Sequence, residues 1–391
     1  MQCLRSVRAP LLVALSLPAI SGACARDVSS IGPPAGIARG AIVWSAAPGG
    51  AMRPVVAGDL VVSVTEDHRV QAFDRVSGTL RWTTTLAAPG NLGRPYGFGM
   101  AVAADIVVVP DGYLFGVDRL SGALRWTFQP SGGAAPGLSL IASDGAVVYA
   151  GSSQGRVFAV DGATGVAKWD ITVTTDPNVA AFDPIVFRDT VYVGLWSRGV
   201  PARGGLMALD ARDGRQLWYT AFPVSSPERS SNCGGAAAVV GDLVVASSEE
   251  GRIFALERAT GAVRWMAPRL PIASVNDQRF VAATRDIVVA GSTTPILVGY
   301  DAASGVERWR VSTYGSPDFW PVADDSSIFA WLSSGQLLAL DASSGAQRWV
   351  FGDRGPVNPD GSRQWKARLP PAVLDDLVFI PGVERLFAVR R

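Results

Sequence analysis

The 391-residue chain is poor in the side chains that most catalysis and metal binding require. It has one His, at position 68, and three Cys, at 3, 24 and 233. Zinc fingers, haem-attachment motifs and disulfide frameworks need more of these residues at set spacings, so all three are excluded. Lys is nearly absent: Lys168 and Lys366 are the only two among 35 basic residues. Charged residues make up 18% and the formal net charge is +1. So neutral a chain lacks the basic field that displaces counterions from a phosphate backbone, which argues against nucleic acid as a partner. No apolar run reaches the roughly 20 residues that a spanning helix needs.

What is plentiful points the other way. Gly 43 and Pro 26 supply turns, and a hydrophobic fraction of 48% supplies a core, so disorder is excluded. The length suits one large domain or two ordinary ones. The composition is that of a turn-rich, all-β protein.

The first residues read as an address. Arg5 and Arg8 give a positive region, Ala9 to Ile20 is a short apolar stretch, and Ser21-Gly22-Ala23 are small. That pattern is an export signal over residues 1–23. Ile20-Ser21-Gly22-Ala23-Cys24 resembles a bacterial lipobox, which implies a lipid on Cys24. Ser21 stands where Leu is commonest, and ordinary cleavage to a free periplasmic protein is the other reading. If Cys24 is lipidated, Cys233 has no disulfide partner. Residue 25 is Ala rather than Asp, which by resemblance to proteobacterial lipoproteins favours the outer membrane. Residues 24–37, with Ser29-Ser30 and Pro33-Pro34, read as a tether.

From residue 38 to 391 a repeat dominates. An acidic residue, then Gly four positions on, then Trp four beyond that, recurs seven times. The copies are Asp74/Gly78/Trp82, Asp118/Gly122/Trp126, Asp161/Gly165/Trp169, Asp210/Gly214/Trp218, Glu257/Gly261/Trp265, Asp301/Gly305/Trp309 and Asp341/Gly345/Trp349. Ahead of each lie short β-rich runs separated by turns, as in Val147 to Ala150 and Arg156 to Val160. Four short antiparallel strands per unit make a propeller blade. The acidic side chain can accept turn N–H groups, Gly can take positive φ, and Trp can wedge between blades. The C-terminus stops at Arg390-Arg391, where other copies continue into the motif, and Gly40 to Trp44 supplies the missing half. Eight blades follow, the last closed by the N-terminal strand, with Trp44 as its wedge.

The copy from Gly151 to Trp169 closely resembles the repeat of the pyrroloquinoline-quinone-type (PQQ-like) propellers. An exported eight-bladed member without an added domain resembles the BamB group of outer-membrane assembly lipoproteins. The resemblance implies a non-catalytic, monomeric scaffold on the periplasmic face of the outer membrane. Its membrane contact would be the lipid alone, and its partner an envelope protein such as the barrel-assembly machinery. A PQQ-dependent dehydrogenase and a carbohydrate- or polymer-binding module are the alternatives.

Catalytic signals are weak. Gly151-Ser152-Ser153-Gln154-Gly155 fits a nucleophile-elbow pattern but falls in a repeat hairpin without a His base. His68 sits in the matching turn of the first blade and reads as a solvated residue. By resemblance, a quinoprotein dehydrogenase would hold PQQ and Ca²⁺ at the ring centre, and the large alcohol dehydrogenases add an adjacent Cys pair. This chain has no such pair. No cofactor is expected, although Asp183, Asp277 and Asp318 precede inner strands and leave a divergent Ca²⁺ site open.

The departures from the repeat are more telling. Trp196, Trp320, Trp331 and Trp365 fall outside the series. The fourth blade carries an enlarged hairpin with Trp196, Arg198 and Arg203. Long connections at 225–235, 313–320 and 352–369 bring Trp320, Arg363, Trp365, Lys366 and Arg368. These eight residues form a candidate partner-binding rim, Trp and Arg being enriched at interaction hot spots. The competing reading is that Trp320 and Trp365 plug the channel or cap the core.

Overall fold

The computed structural model describes residues 39–47, 49–87, 99–130, 138–197, 204–223, 232–267, 280–291, 294–317, 321–352, 369–382 and 385–391. The export signal, Cys24 and the tether lie outside them. The described residues form eight sheets, each of four antiparallel strands, and contain no helix. Blade one opens with Val55–Ala57 and blade eight with Ala372–Leu374.

Blade three shows why these residues make this shape. Its strands are Leu138–Ser143, Val147–Ser152, Arg156–Asp161 and Ala167–Thr172, paired in sequence order. The second strand is buried at every residue, so both of its faces are covered by neighbouring blades. The fourth is exposed or half-buried except at Trp169, as an outer strand with one inward wedge. First strands touch first strands of adjacent blades and line the axis.

Each repeat turn is built as its sequence demands. Gly165 has φ +73° and donates its N–H to the Asp161 carbonyl at 2.8 Å. Asp161 Oδ1 accepts from the Thr164 N–H and hydroxyl at 3.0 and 2.9 Å. The Trp then bridges blades. Trp126 Nε1 donates to the Gly162 carbonyl of the next blade at 3.0 Å, and its ring lies flat on Gly165. The same indole-to-carbonyl bond recurs at Trp44, Trp82, Trp169, Trp218, Trp265 and Trp309, at 2.9 to 3.0 Å.

Closure follows the same geometry. Ile42–Ala46 pairs antiparallel with Leu386–Arg390 as the fourth strand of blade eight. Gly40, at φ +77°, donates to the Arg390 carbonyl at 2.7 Å, as repeat glycines do to their acidic residue. Gly40 also faces the Trp349 ring, and Trp44 wedges onto Gly78 of blade one.

This topology sorts the loops. Turns joining first to second and third to fourth strands fall at one end of the ring. Hairpins joining second to third strands, and the connections between blades, fall at the other. That second end is the loop face.

Candidate functional site

Of the candidate rim, Arg198, Arg203, Trp320, Arg363, Trp365, Lys366 and Arg368 lie outside the described residues, as do Asp277 and Asp318. Trp196 is described. It ends the long second strand of blade four, Thr190–Ser197, and is half-buried. Its indole N–H donates to Glu249 Oε1 of blade five at 2.7 Å. Asn232 completes the joint: its amide donates to Glu249 Oε2 at 2.9 Å and to the Ser197 carbonyl at 3.0 Å. Its side-chain oxygen accepts the Ser197 N–H at 2.7 Å. Trp196 therefore ties two blades together at this face. Glu249 is only 8% exposed, a carboxylate buried because its partners are in place.

Sequence reasoning missed the parts played by Glu249 and Asn232. Their signal was faint, a Glu249-Glu250 pair where the blade-three hairpin has Ser153-Gln154.

Cys233 follows in the same joint, its N–H donating to the Leu195 carbonyl of blade four at 3.2 Å. It is a free, buried thiol, and burial pushes its pKa up to about 12. Such a thiol is inert as a nucleophile at neutral pH.

His68 is not the solvated turn residue expected of it. Its side chain is 20% exposed, and Nδ1 lies 2.5 Å from Oδ2 of Asp111, a carboxylate 1% exposed in the hairpin of blade two. His68 holds φ +61°, which turns its ring towards that neighbouring blade. The two positions are 43 residues apart, about one repeat, and that offset was the available clue.

One further expectation needs correction. Asp183 does not precede the first strand of blade four; it lies inside it, Val179–Phe187. It takes φ +50° at a break in register between Phe182 and Ile185, just before Pro184. Trp331, outside the repeat series, is a core residue at 2% exposure, packed with Phe329, Leu337 and Phe351.

Around the axis, first strands of blades eight, one, two and three, with the residues just before them, line a half-open cavity of about 360 Å³. Its lining is aliphatic apart from Arg53, with no carboxylate among the lining residues. Among the described residues no group of three His, Cys, Asp or Glu side chains is placed to hold a cation. A quinone paired with Ca²⁺ needs an aromatic platform, carboxylate ligands and a base. The described lining does not fit that group, and no chemical step is derived through it.

Comparison with known proteins places this geometry. The family profile described as "Outer membrane protein assembly factor BamB" matches residues 27–265, 180–351 and 273–390. The protein of that name from Burkholderia pseudomallei is 26% identical over 290 residues, 71% of this chain and 70% of that protein. BamB from Moraxella catarrhalis superposes with a TM-score of 0.67 at 16% identity, covering 90% of this chain and 99% of that one. Quinohemoprotein alcohol dehydrogenase from Comamonas testosteroni superposes with a TM-score of 0.66 at 14% identity, covering 90% and 76%. At such identities these two structures establish the fold alone. The profile match spans nearly all of the ring, and the chain belongs to the PQQ-like propeller family of outer membrane protein assembly factor BamB.

Proposed function

We propose that this protein is a non-catalytic binding scaffold of the bacterial envelope, exported, anchored through lipid on Cys24, and docked by its loop face to a partner in outer-membrane protein assembly. Family membership across the whole ring carries the reading. The chemistry of the described loop face supports it. Two ionisable groups there engage neighbouring blades: Glu249 accepts from Trp196, and His68 pairs with Asp111. Side chains committed in this way brace a rigid surface, and rigid surfaces bind at low entropic cost. The Arg and Trp residues of the long loops would then supply the anchors.

The experiment is affinity capture of the tagged, full-length protein from envelope extracts, with mass spectrometry of what is retained. Barrel-assembly components should be recovered with the wild type. Joint replacement of Arg198, Arg203, Arg363 and Arg368 by Ala should reduce that recovery at least tenfold. Cys24→Ser should move the protein from the membrane fraction to the soluble one. Recovery unchanged by the four replacements would remove the loop face from the proposal. A rise in melting temperature of several degrees with PQQ and Ca²⁺ together, absent with either alone, would replace the scaffold by a quinoprotein enzyme.

A further inference from the structure

The axial cavity holds one charged side chain with no counter-charge among the described residues. Arg53 lines it together with Val55, Met100, Leu140, Val373 and Leu374, and the remaining lining residues are apolar or glycine. The backbone of Arg53 is fixed: it forms a parallel bridge with Gly99 of blade two, and Pro54 after it favours extended geometry. Gly99 is itself closely packed, since a Cβ there would stand 2.8 Å from Leu140 Cδ2.

Many other arginines of the ring have carboxylate partners, although Arg188 and Arg258 lie instead over the Phe187 ring. Arg75 reaches Asp375 at 2.8 Å, Arg119 reaches Asp105 at 2.8 Å, and Arg348 reaches Asp341 at 2.8 Å. Arg53 has neither an ion pair nor a side-chain hydrogen bond among the described residues. Burial also lowers its pKa, with no opposing carboxylate to raise it. Arg53 is half-buried, and even partial removal of a guanidinium from water without a counter-charge is unfavourable. An anion entering the cavity would recover that cost through two parallel N–H···O bonds.

We infer that the axial cavity binds a small organic monoanion, a carboxylate on a short apolar body, with Arg53 holding the carboxylate and Val55, Leu140 and Val373 covering the body. The shape of the ligand follows from the lining. One cation asks for one negative charge, and apart from Arg53 the lining side chains are apolar, which favours an apolar body against them. The volume lies at the lower end of the range for small-molecule sites, so the body is short. The inference is independent of any protein docked at the loop face.

Isothermal titration of the purified mature protein tests it. Hexanoate and 3-phenylpropionate should bind at least tenfold more tightly than acetate or inorganic phosphate, which lack the apolar body. Both should exceed hexan-1-ol, which lacks the charge, by a similar factor. Arg53→Met should weaken hexanoate at least tenfold while melting no lower than the wild type, because it removes a half-buried charge that has no carboxylate partner among the described residues. Val373→Asp supplies an internal partner for Arg53 and should abolish hexanoate binding in a folded ring. Equal binding of hexan-1-ol and hexanoate, undiminished binding by Arg53→Met, or no carboxylate binding by the wild type would each overturn the inference. Acetate or phosphate binding as tightly as hexanoate would overturn the apolar-body requirement. None of these results alters what the envelope capture recovers.

Discussion

At the scale of the residue, the repeat glycines test how the blades are held. Gly165 and Gly241 both have positive φ, +73° and +56°. They differ in surroundings: a Cβ on Gly165 would stand 2.6 Å from the Trp126 ring, whereas one on Gly241 would meet nothing within 4 Å. Gly241→Ala therefore incurs only backbone strain, about 1–2 kcal/mol. Gly165→Ala adds overpacking against an indole that cannot move, for a total of roughly 2–5 kcal/mol. Chemical denaturation of the two variants should separate them by at least about 1 kcal/mol. Equal losses would mean that the indole yields, and that the wedge is softer than its geometry.

At the scale of the element, the repeat turn carries a charge arrangement that matters in acid. A basic residue precedes most repeat Trp residues and returns to the turn's acidic side chain, as Arg308 does to Asp301 at 2.6 Å and Arg81 to Asp74 at 2.7 Å. The Arg308 guanidinium and Ser304 lower Asp301 to about 2. At Asp74 burial opposes ionisation, but Arg81 and Ser77 outweigh it and bring this carboxyl also to about 2. A folded-state pKa below the ordinary 3.8 stabilises the fold above that value, and the contribution is lost as pH falls towards 2. Melting temperature followed against pH should show its steep acid decline below about pH 4, not between 5 and 7. The closing strand is the second element to test. A chain beginning after Trp44 loses a strand and a wedge, and loss of a buried Trp side chain alone costs about 3–5 kcal/mol. Its melting temperature should fall markedly and aggregation should rise; an unchanged melting curve would contradict the clasp.

These elements were legible in the sequence because they repeat. Asp161, Gly165 and Trp169 announce a turn through their spacing, and six further copies fix the blade. The basic residues at 81, 125, 168, 264, 308 and 348 were equally visible, each next to a repeat Trp, yet their pairing with the turn carboxylates went unread. What the site contains was not legible, since it rests on contacts made once. Trp196 meets Glu249 across 53 residues, and no second copy of that pair exists to reveal it. His68 looked solvated because the turn around it is polar; its partner lies one blade away. Arg53 looked like one Arg among many, and only the ring brings four first strands around it.

At the scale of the whole molecule, the ring is continuous in geometry but not in chain. The break falls inside a repeat turn, between Arg391 and Arg39, with Gly40 hydrogen-bonded to Arg390 just as Gly165 is to Asp161. In intact copies three residues separate those two partners, and here Arg391 and Arg39 supply two of the three. One added residue would thus make the eighth turn covalent. The position of the opening is then arbitrary, and the protein becomes a candidate for circular permutation. A rearranged chain joined through Arg391-Ser-Arg39 and opened in the exposed turn at Gly241 should fold to the same ring. Its far-ultraviolet spectrum should match the parent, and blade eight, its turn now covalent, should resist local opening of the Ile42–Ala46 strand better than the parent.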